Sequence, residues 1–286
     1  MNSIMFQGLN GSYSSQALQL LCSTYNINAQ HLENEFFFKE LFESINKNTL
    51  ALIPVENSIA GNVNQNNELF IKYDIQIVAE VELEIHHCLI QSEHNYNTFK
   101  RSIQEEFKVL SHPQALLQCG DFITHYGLQT LEGKDTAGAV QYIQNNPTKK
   151  LYAIGPKYAT SIYGGVVVQE NIENHSGNTT RFVLVKQKAQ QYEFESSLPE
   201  KNKSTFLVQL KDKVGSLYKV LQIFYLEGIN ITRIISKPHP QKHFQYIFLF
   251  DIEINLEDKY YSHILSKIKK ESEYFKLLGC YPKWEN

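Results

Sequence analysis

Residues 50–63 read LALIPVENSIAGNV. The apolar start of this stretch is typical of a buried strand, and three polar side chains, Glu56, Asn57 and Ser58, follow it shortly before Gly61. A buried strand that ends in adjacent polar groups delivers them to a cleft, where they can meet a small polar ligand. Asn57 and Ser58 could instead cap the next helix. The added carboxylate and the glycine favour a ligand site.

Composition and charge exclude several classes of protein. The chain has 286 residues, of which 42% are apolar and 20% charged, an ordinary globular balance with room for about two domains. The net charge of -3 and the lack of a long basic run argue against a nucleic-acid partner. No apolar run approaches the ~20 residues that span a bilayer, and the N-terminus lacks the pattern of a signal peptide. The four cysteines form no CxxC pair and are expected to be reduced, in a cytoplasmic protein.

Residues 1–186 alternate short apolar runs with amphipathic helical patterns, which is typical of an α/β domain. Strands are predicted at 3–6, 50–53, 75–81, 151–154 and 182–185. A turn at 8–12 opens a first helix. A later helix is predicted to begin at Pro113 and to carry a buried stripe as far as Tyr126, before Gly127 ends it.

The pattern changes after residue 186. Residues 187–203 are polar and weakly patterned and are predicted to be a linker. In the region 204–286, strands are predicted at 206–210, 229–236 and 275–281, and helices at 215–226 and 256–268. A further strand is indicated by apolar alternation at Phe244, Tyr246, Phe248, Phe250 and Ile252. The resulting order, βαββαβ, is that of the ferredoxin-like fold.

Two further segments carry groups that could hold an anion. Gly8 and Gly11 bracket a tight turn, and the hydroxyls and free N–H groups that follow it suit an anion at a helix start. A simple capped helix explains the same residues equally well, and the pattern is neither a Walker loop nor G-x-G-x-x-G. Near the entry of the last strand of the first region, Thr180 offers a hydroxyl and Arg181 a fork for a carboxylate. The alternative for Arg181 is a structural pair with a neighbouring glutamate.

Other polar clusters favour simpler explanations. The segments 111–115 and 134–139 place polar groups at helix starts, where caps are commoner than sites. His86 and His87 are adjacent on a strand and point to opposite faces, so a shared metal ion is not expected. No G-x-S-x-G elbow is present for acyl-enzyme hydrolysis. Taken together, the polar segments are rich in weak acids and poor in strong bases, which suits the binding of a dianionic small molecule.

These segments together resemble the prephenate dehydratases. The matching motifs occur in the family's order and are Gly8–Ser14, Pro54–Val63, Ile85-x-His87-x-Leu89, Ser111–Cys119, Thr136–Ala139 and Asn178–Phe182. The resemblance covers nearly the whole chain. It implies a catalytic part of two α/β lobes around a cleft, like a type II periplasmic binding protein, with crossings near residues 75 and 165. It also implies a C-terminal ACT domain and a homodimer or homotetramer.

The resemblance assigns roles to residues of this chain. Thr180 would be the acid that helps hydroxide leave prephenate as water, while CO2 is lost and phenylpyruvate forms. The substrate's polar groups would be bound by Gly11, Ser12, Ser14, Asn57, Ser58, Thr136 and Arg181, with support from Glu56, His112, Gln114, Asn178 and Phe182. No step needs a metal or an organic cofactor.

The resemblance also implies regulation by phenylalanine, bound near Gly215, Ser216 and Leu217. Here Ile235 and Lys237 replace a glutamate and an arginine of the family, which bears on the affinity or identity of the effector. Asp135 stands where many relatives have serine. Two other functions remain open. One is an arogenate dehydratase, and the other is a non-catalytic sensor of an aromatic acid.

Overall fold

The structure, a computed structural model, describes residues 3–34, 38–99, 103–104, 106–239, 242 and 245–285. No helix among these residues is long and apolar enough to cross a membrane. Residues up to 187 form β1 (Ser3–Gln7), α1 (Tyr13–Thr24), β2 (Gln30–Asn34), α2 (Phe38–Ser44), β3 (Thr49–Asn57), β4 (Gly61–Asn62), α3 (Asn64–Lys72), β5 (Ile75–Glu84), β6 (Cys88–Gln91), α4 (Glu93–Phe99), β7 (Lys108–Ser111), α5 (Pro113–Gln118), α6 (Gly120–His125), β8 (Gln129–Glu132), α7 (Thr136–Asn145), β9 (Leu151–Gly155), α8 (Tyr158–Tyr163), β10 (Val166–Gln169) and β11 (Thr179–Gln187).

These elements build two lobes, each around its own sheet. The first sheet has the order β2-β1-β3-β11-β5, with β4 paired to β3. Its first three strands are parallel, and β11 runs antiparallel between β3 and β5. The second sheet has the order β10-β6-β9-β7-β8. The predicted pair of α/β lobes is therefore present, and β3 and β11 lie side by side at the centre of the first sheet.

The chain crosses between the lobes twice. It leaves the first sheet after Glu84, enters the second at Cys88, and returns between Gln169 and Thr179. Both crossings lie downstream of the positions near 75 and 165 that the family resemblance implies, because β5 stays in the first sheet as far as Glu84 and β10 still belongs to the second. Glu173 ties the crossings together, since its carboxylate accepts from the His87 N–H at 2.9 Å and contacts His86 Nδ1 at 3.0 Å.

The predicted linker is an ordered connection. It contains a 3₁₀ turn at Glu193–Ser197, and Tyr192 is buried against the core of the first lobe. The Glu195 carboxylate accepts hydrogen bonds at 2.7 Å from the buried Lys186 ammonium. The connection therefore packs on the catalytic part over much of its length.

The C-terminal region has the predicted ferredoxin-like order. Its elements are β12 (Lys203–Leu210), α9 (Ser216–Leu226), β13 (Ile231–Pro238), β14 (Tyr246–Ile252), α10 (Ser262–Glu271) and β15 (Ser272–Tyr281). The strands form an antiparallel sheet in the order β13-β14-β12-β15. Phe244, the first residue of the predicted alternation, lies outside the described residues. The predicted helix over 256–268 instead becomes a 3₁₀ turn at Lys259–Tyr261 followed by α10.

The C-terminal sheet is buried on both faces. One face packs on its two helices around a core that includes Phe206, Phe224 and Phe250. The other packs on the first lobe, where Ile77 and Val183 share a core with C-terminal residues such as Leu249. The backbones approach so closely that a Cβ at Gly279 would come within 2.1 Å of the Ile77 carbonyl oxygen. The C-terminal domain thus packs closely against the first lobe.

Candidate active site

A cleft between the lobes gathers most of the predicted site residues. Its larger part has a volume of about 420 Å³, and an adjoining part of about 260 Å³ lies at the start of α1. These volumes suit a small polar ligand. The predicted residues that line it are Ser12, Ser14, Asn57, His112, Gln114, Thr136, Asn178, Thr180 and Phe182. Four others, Gly11, Glu56, Ser58 and Arg181, are not part of the described lining.

At the centre of the cleft, Asn57 and Thr180 face each other across β3 and β11. They are direct partners in the register of the two strands. The Asn57 amide nitrogen donates to Thr180 Oγ1 at 2.9 Å and to Asn178 Oδ1 at 2.6 Å. The Asn57 oxygen accepts from the N–H groups of Ile59 and Ala60 at 3.1 and 2.7 Å. Because each end of the amide meets only groups of the complementary kind, its orientation is fixed.

This arrangement determines what the Thr180 hydroxyl can do. Its oxygen already accepts a hydrogen bond from Asn57, so the hydroxyl proton is directed elsewhere. Thr180 lines the cleft, which leaves the proton available to a bound ligand. Donation to the oxygen also polarises the O–H bond and makes it a better donor. The geometry therefore provides a preorganised weak acid.

Three helix starts border the two parts of the cleft. Ser12 caps α1 by accepting from the Ser15 N–H at 3.3 Å, His112 caps α5 through Nδ1, and Asp135 caps α7. The N-terminal ends of helices favour negative charge through their free N–H groups and the helix dipole. The described lining of the larger part of the cleft contains no lysine, arginine or carboxylate. A negatively charged ligand would there meet uncharged donors such as the Thr180 hydroxyl and the Gln114 amide.

Gly11 and Ser58 support the cleft from outside it. Gly11 has a φ of 82°, and a Cβ there would lie 3.1 Å from the Ala159 backbone. Ser58 accepts from the Thr179 N–H at 2.9 Å and donates to the Gly177 carbonyl at 3.2 Å. Both residues therefore fix the backbone at a strand or helix junction instead of facing the ligand space.

Arg181 points away from the cleft. Side chains alternate along a strand, so Thr180 and Phe182 face the cleft while Arg181 faces the C-terminal domain. Its Nη1 contacts Glu80 at 2.9 Å, and its Nη2 bonds to Asp251 of β14. Arg181 is thus not part of the described cleft lining, where the family resemblance expects it to bind a substrate carboxylate. The alternative, a structural ion pair, describes its position, and Glu56 lies on the same side, 3.8 Å from Arg181 Nε.

Several residues of the cleft lining were not predicted as site residues, and three of them form a hydrogen-bonded chain. Tyr13, His87 and Gln118 line the cleft, and the Tyr13 hydroxyl lies 2.7 Å from His87 Nδ1 and 2.9 Å from the His86 carbonyl. His87 Nε2 contacts Gln118 Oε1 at 2.8 Å. Burial is the main cause that lowers the pKa of His87 below the usual 6.5, so the ring is neutral at pH 7. These hydrogen bonds connect Tyr13 of the first lobe to Gln118 of the second. The sequence feature that could have identified them is the Ile-x-His-x-Leu motif.

A larger hollow of about 720 Å³ lies beside the cleft on the second lobe. Its lining combines apolar residues such as Leu110 and Leu131 with charged ones such as Lys149 and Lys150. The Asn57–Thr180 pair is not part of that lining, so the smaller polar cleft is the better candidate for chemistry.

The predicted effector residues lie at the start of α9. Gly215 has a φ of 80°, and Ser216 and Leu217 line a cavity of about 180 Å³ in the C-terminal domain. Ile235 and Lys237 lie away from that cavity. Ile235 packs in the core shared with the first lobe, and Lys237 Nζ donates to Asn64 Oδ1 at 2.9 Å. The two departures from the family pattern therefore face the catalytic part.

Fold and cleft together define a two-lobed α/β protein with a preorganised weak acid, joined to a ferredoxin-like domain. A family model described as prephenate dehydratase matches residues 4–190, and the ACT domain model matches residues 204–271. The chain therefore belongs to the prephenate dehydratase family and carries a C-terminal ACT domain.

Individual relatives agree with this assignment. The chain is 36% identical to a prephenate dehydratase of Methanocaldococcus jannaschii over 85% of each chain. It is 31% identical to arogenate dehydratase/prephenate dehydratase 1 of Arabidopsis thaliana, over 98% of this chain and 71% of that relative. The crystal structure of an Arthrobacter aurescens prephenate dehydratase in complex with L-Phe superposes with a TM-score of 0.78 at 22% identity, covering 98% of this chain and 90% of that one.

Proposed function

We propose that this chain is a carbon–oxygen lyase that converts prephenate to phenylpyruvate, CO2 and water. The observation that carries the proposal is the hydrogen bond from Asn57 to Thr180 Oγ1. It leaves the Thr180 proton free to meet the ring hydroxyl of the substrate. Family membership supplies the substrate class, and the uncharged donors of the larger part of the cleft, with Lys134 in the lining of the adjoining part, suit a dianion.

The reaction asks little of the protein. As the carboxylate leaves as CO2, its bonding electrons move into the ring and the ring hydroxyl departs. The Thr180 proton converts the departing hydroxide to water, and solvent then returns a proton to Thr180. The ring becomes aromatic, which supplies much of the driving force. The cleft has to hold the ring and place one weak acid.

The direct test uses purified protein and prephenate at neutral pH. Phenylpyruvate is followed by its absorbance after base is added. Thr180→Ala is expected to lower kcat by ~100-fold or more with a smaller change in KM, because the acid acts in the transition state. Thr179→Ala is the matched control, since its side chain is not part of the described cleft lining. Near-normal turnover by Thr180→Ala would contradict the role of Thr180.

Arogenate is the second candidate substrate, because one relative's name includes arogenate dehydratase. The two compounds differ only in a keto or amino group on the side chain. Turnover of each by the same preparation decides between them. A sensor without catalytic activity would turn over neither and would bind an aromatic acid in the cleft.

Phenylalanine is the proposed effector, bound near Gly215, Ser216 and Leu217. The ACT domain and the L-Phe complex of the Arthrobacter protein support this proposal. Titration of phenylalanine during turnover tests it, and a flat response would remove the effector without affecting the catalytic proposal. A homodimer or homotetramer is proposed from family membership, and sedimentation equilibrium measures it.

A further inference from the structure

The two strands that hold the catalytic pair present ion-pairing residues on their opposite face. Thr180 pairs with Asn57 across β3 and β11, and the next residue along, Arg181, pairs with Glu56. Asn57 and Thr180 line the cleft. Because side chains alternate along a strand, Glu56 and Arg181 point to the back of the sheet, where the ACT domain packs. Each half of the catalytic pair is thus the chain neighbour of an interface residue.

Arg181 is held from both sides of the domain interface. Glu80, which is fully buried, contacts its Nη1 at 2.9 Å and also accepts from Lys203 Nζ at 2.8 Å. Asp251 of the ACT domain is also fully buried and bonds to Arg181 Nη2. The other Asp251 oxygen accepts from Thr205 Oγ1 at 2.7 Å. A buried guanidinium with two buried carboxylates has one favourable position, and it fixes the strand that carries it.

The ACT domain also grips β3. Arg233 of β13 donates to the Val55 carbonyl at 2.9 Å and to Asn62 Oδ1 at 2.9 Å. Glu56 lies between the two arginines, with its carboxylate 3.6 Å from Arg233 Nε and 3.8 Å from Arg181 Nε. Glu56 is therefore within ion-pair distance of both domains and directly precedes Asn57.

The cluster is balanced in charge, with three acids (Glu56, Glu80, Asp251) and three cations (Arg181, Lys203, Arg233). Buried charges that lose one partner leave the other uncompensated, so the remaining groups must shift. The nearest backbone to shift is that of Thr180, because Arg181 is the residue that bridges Glu80 and Asp251. Buried Arg181 Nε already lacks a hydrogen-bond partner among the described residues. The loss of a further partner of Arg181 would therefore leave more than one of its buried donors unpaired.

From this geometry we propose that Asp251 of the ACT domain is a positioning residue for catalysis, acting through Arg181 and Glu56 to hold the Asn57–Thr180 hydrogen bond. The inference rests on the proposed dehydratase function. It assigns to the ACT domain a part in basal turnover that needs no effector.

Asp251→Asn is the first test, measured in the full chain with prephenate and without phenylalanine. We expect kcat to fall about tenfold while KM stays within about twofold, because the cleft lining is intact but Thr180 is misaligned. Glu253→Gln is the matched control. Glu253→Gln removes the same charge two residues away, and the side chains that hydrogen-bond to Glu253, those of Lys283 and Asn230, lie outside the cluster. Its kcat should stay within about twofold of the wild type.

A second background separates positioning from general support of the fold. In Thr180→Ala protein, Asp251→Asn should lower the residual kcat by less than about twofold, since the group it positions is gone. Equal losses in both backgrounds would overturn the proposal. So would an unchanged kcat in folded Asp251→Asn protein.

Glu56→Gln keeps the proposal testable if Asp251→Asn does not fold. The Glu56 side chain is 39% exposed, so its neutral isostere is expected to fold normally. In an otherwise wild-type chain, Glu56→Gln should lower kcat at least about threefold at unchanged KM. In the Thr180→Ala chain, the same substitution should leave the residual kcat unchanged. If Glu56→Gln in an otherwise wild-type chain has the same kcat as the wild type, the proposal is overturned. Failure of the wild type itself to turn over prephenate would instead refute the proposed function.

Discussion

Replacement of Asn57 by aspartate reverses one hydrogen bond at the centre of the cleft. In the wild type, Asn57 Nδ2 donates to Thr180 Oγ1 and to Asn178 Oδ1, while its oxygen accepts from two backbone N–H groups. In Asn57→Asp, the backbone contacts survive because they need only an oxygen. The nitrogen becomes a carboxylate oxygen, and the Thr180 hydroxyl turns to donate to it. The catalytic proton then points away from the substrate.

Asn57→Asp also loses the donation to Asn178 Oδ1, but the effect on catalysis follows from the two hydrogen bonds that change at Thr180. A hydrogen bond to a charged group is worth about 1.5–3 kcal/mol, and it must break before Thr180 can protonate the leaving group. The lost donation from Asn57 is worth about 0.5–1.5 kcal/mol. Together these raise the barrier by about 2–4.5 kcal/mol, which lowers kcat by roughly 30- to 2,000-fold. The new charge also repels a dianion, by up to about 4 kcal/mol at 4 Å and an effective dielectric constant of 20, so KM rises.

The assay is the initial rate of phenylpyruvate formation over a range of pH. Asn57→Asp should recover part of its activity on acidification, because the protonated side chain again donates a hydrogen bond. Asn64→Asp is the control, since Asn64 is exposed on α3 and bonds to Lys237 outside the cleft. A kcat for Asn57→Asp within threefold of the wild type at neutral pH would refute the assigned direction of the hydrogen bond.

Three further predictions concern groups around the cleft and the interface. Tyr13→Phe leaves His87 Nδ1 without its hydroxyl partner and should lower kcat/KM about tenfold, measured with prephenate. A hydrogen bond to Glu173 raises the pKa of His86, so the contribution of His86 to stability is present below pH 6.5 and lost as pH rises. Burial lowers the pKa of His87, so the contribution of His87 is present above pH 6.5 and lost on acidification. Urea unfolding at pH 5.5 and 7.5 should therefore show that His87→Gln weakens the acid-induced loss of stability and that His86→Gln strengthens it; shifts of the same sign would contradict the assignment. Gly279→Ala should cost about 1–3 kcal/mol of unfolding free energy because its Cβ would meet the Ile77 carbonyl, while Gly120→Ala, with its nearest atom at 3.9 Å, should cost less than half of that.

Sequence patterning predicted the elements that place the cleft. The apolar run before Glu56 is the buried part of β3, and the alternation from Tyr246 to Ile252 is β14. These predictions succeed because both strands are buried on both faces, and such a strand is visible in the sequence as a short, nearly continuous apolar run. The polar residues that end β3 reach the cleft because they directly follow such a run.

The limits of the prediction have a physical cause as well. The helix predicted from Pro113 to Tyr126 is divided at Cys119, whose φ of -111° and ψ of 18° interrupt the regular geometry between α5 and α6. An apolar stripe with helical spacing continues through both helices and conceals the break. The sequence pattern also could not predict where the Arg181 side chain points, because its partners, Glu80 and Asp251, are distant in the chain.

The position of Arg181 outside the cleft fits the chemistry of the proposed reaction. The carboxylate that departs as CO2 loses its negative charge in the transition state. An arginine bonded to that group would stabilise the substrate more than the transition state and would slow the step. Neutral donors such as Asn57 and Thr180 bind the same substrate without this penalty, and Thr180 strengthens its bond as the departing hydroxyl gains charge. Arg181 is therefore better placed on the back of the sheet, where its ion pair with Asp251 of the ACT domain holds Thr180 in position.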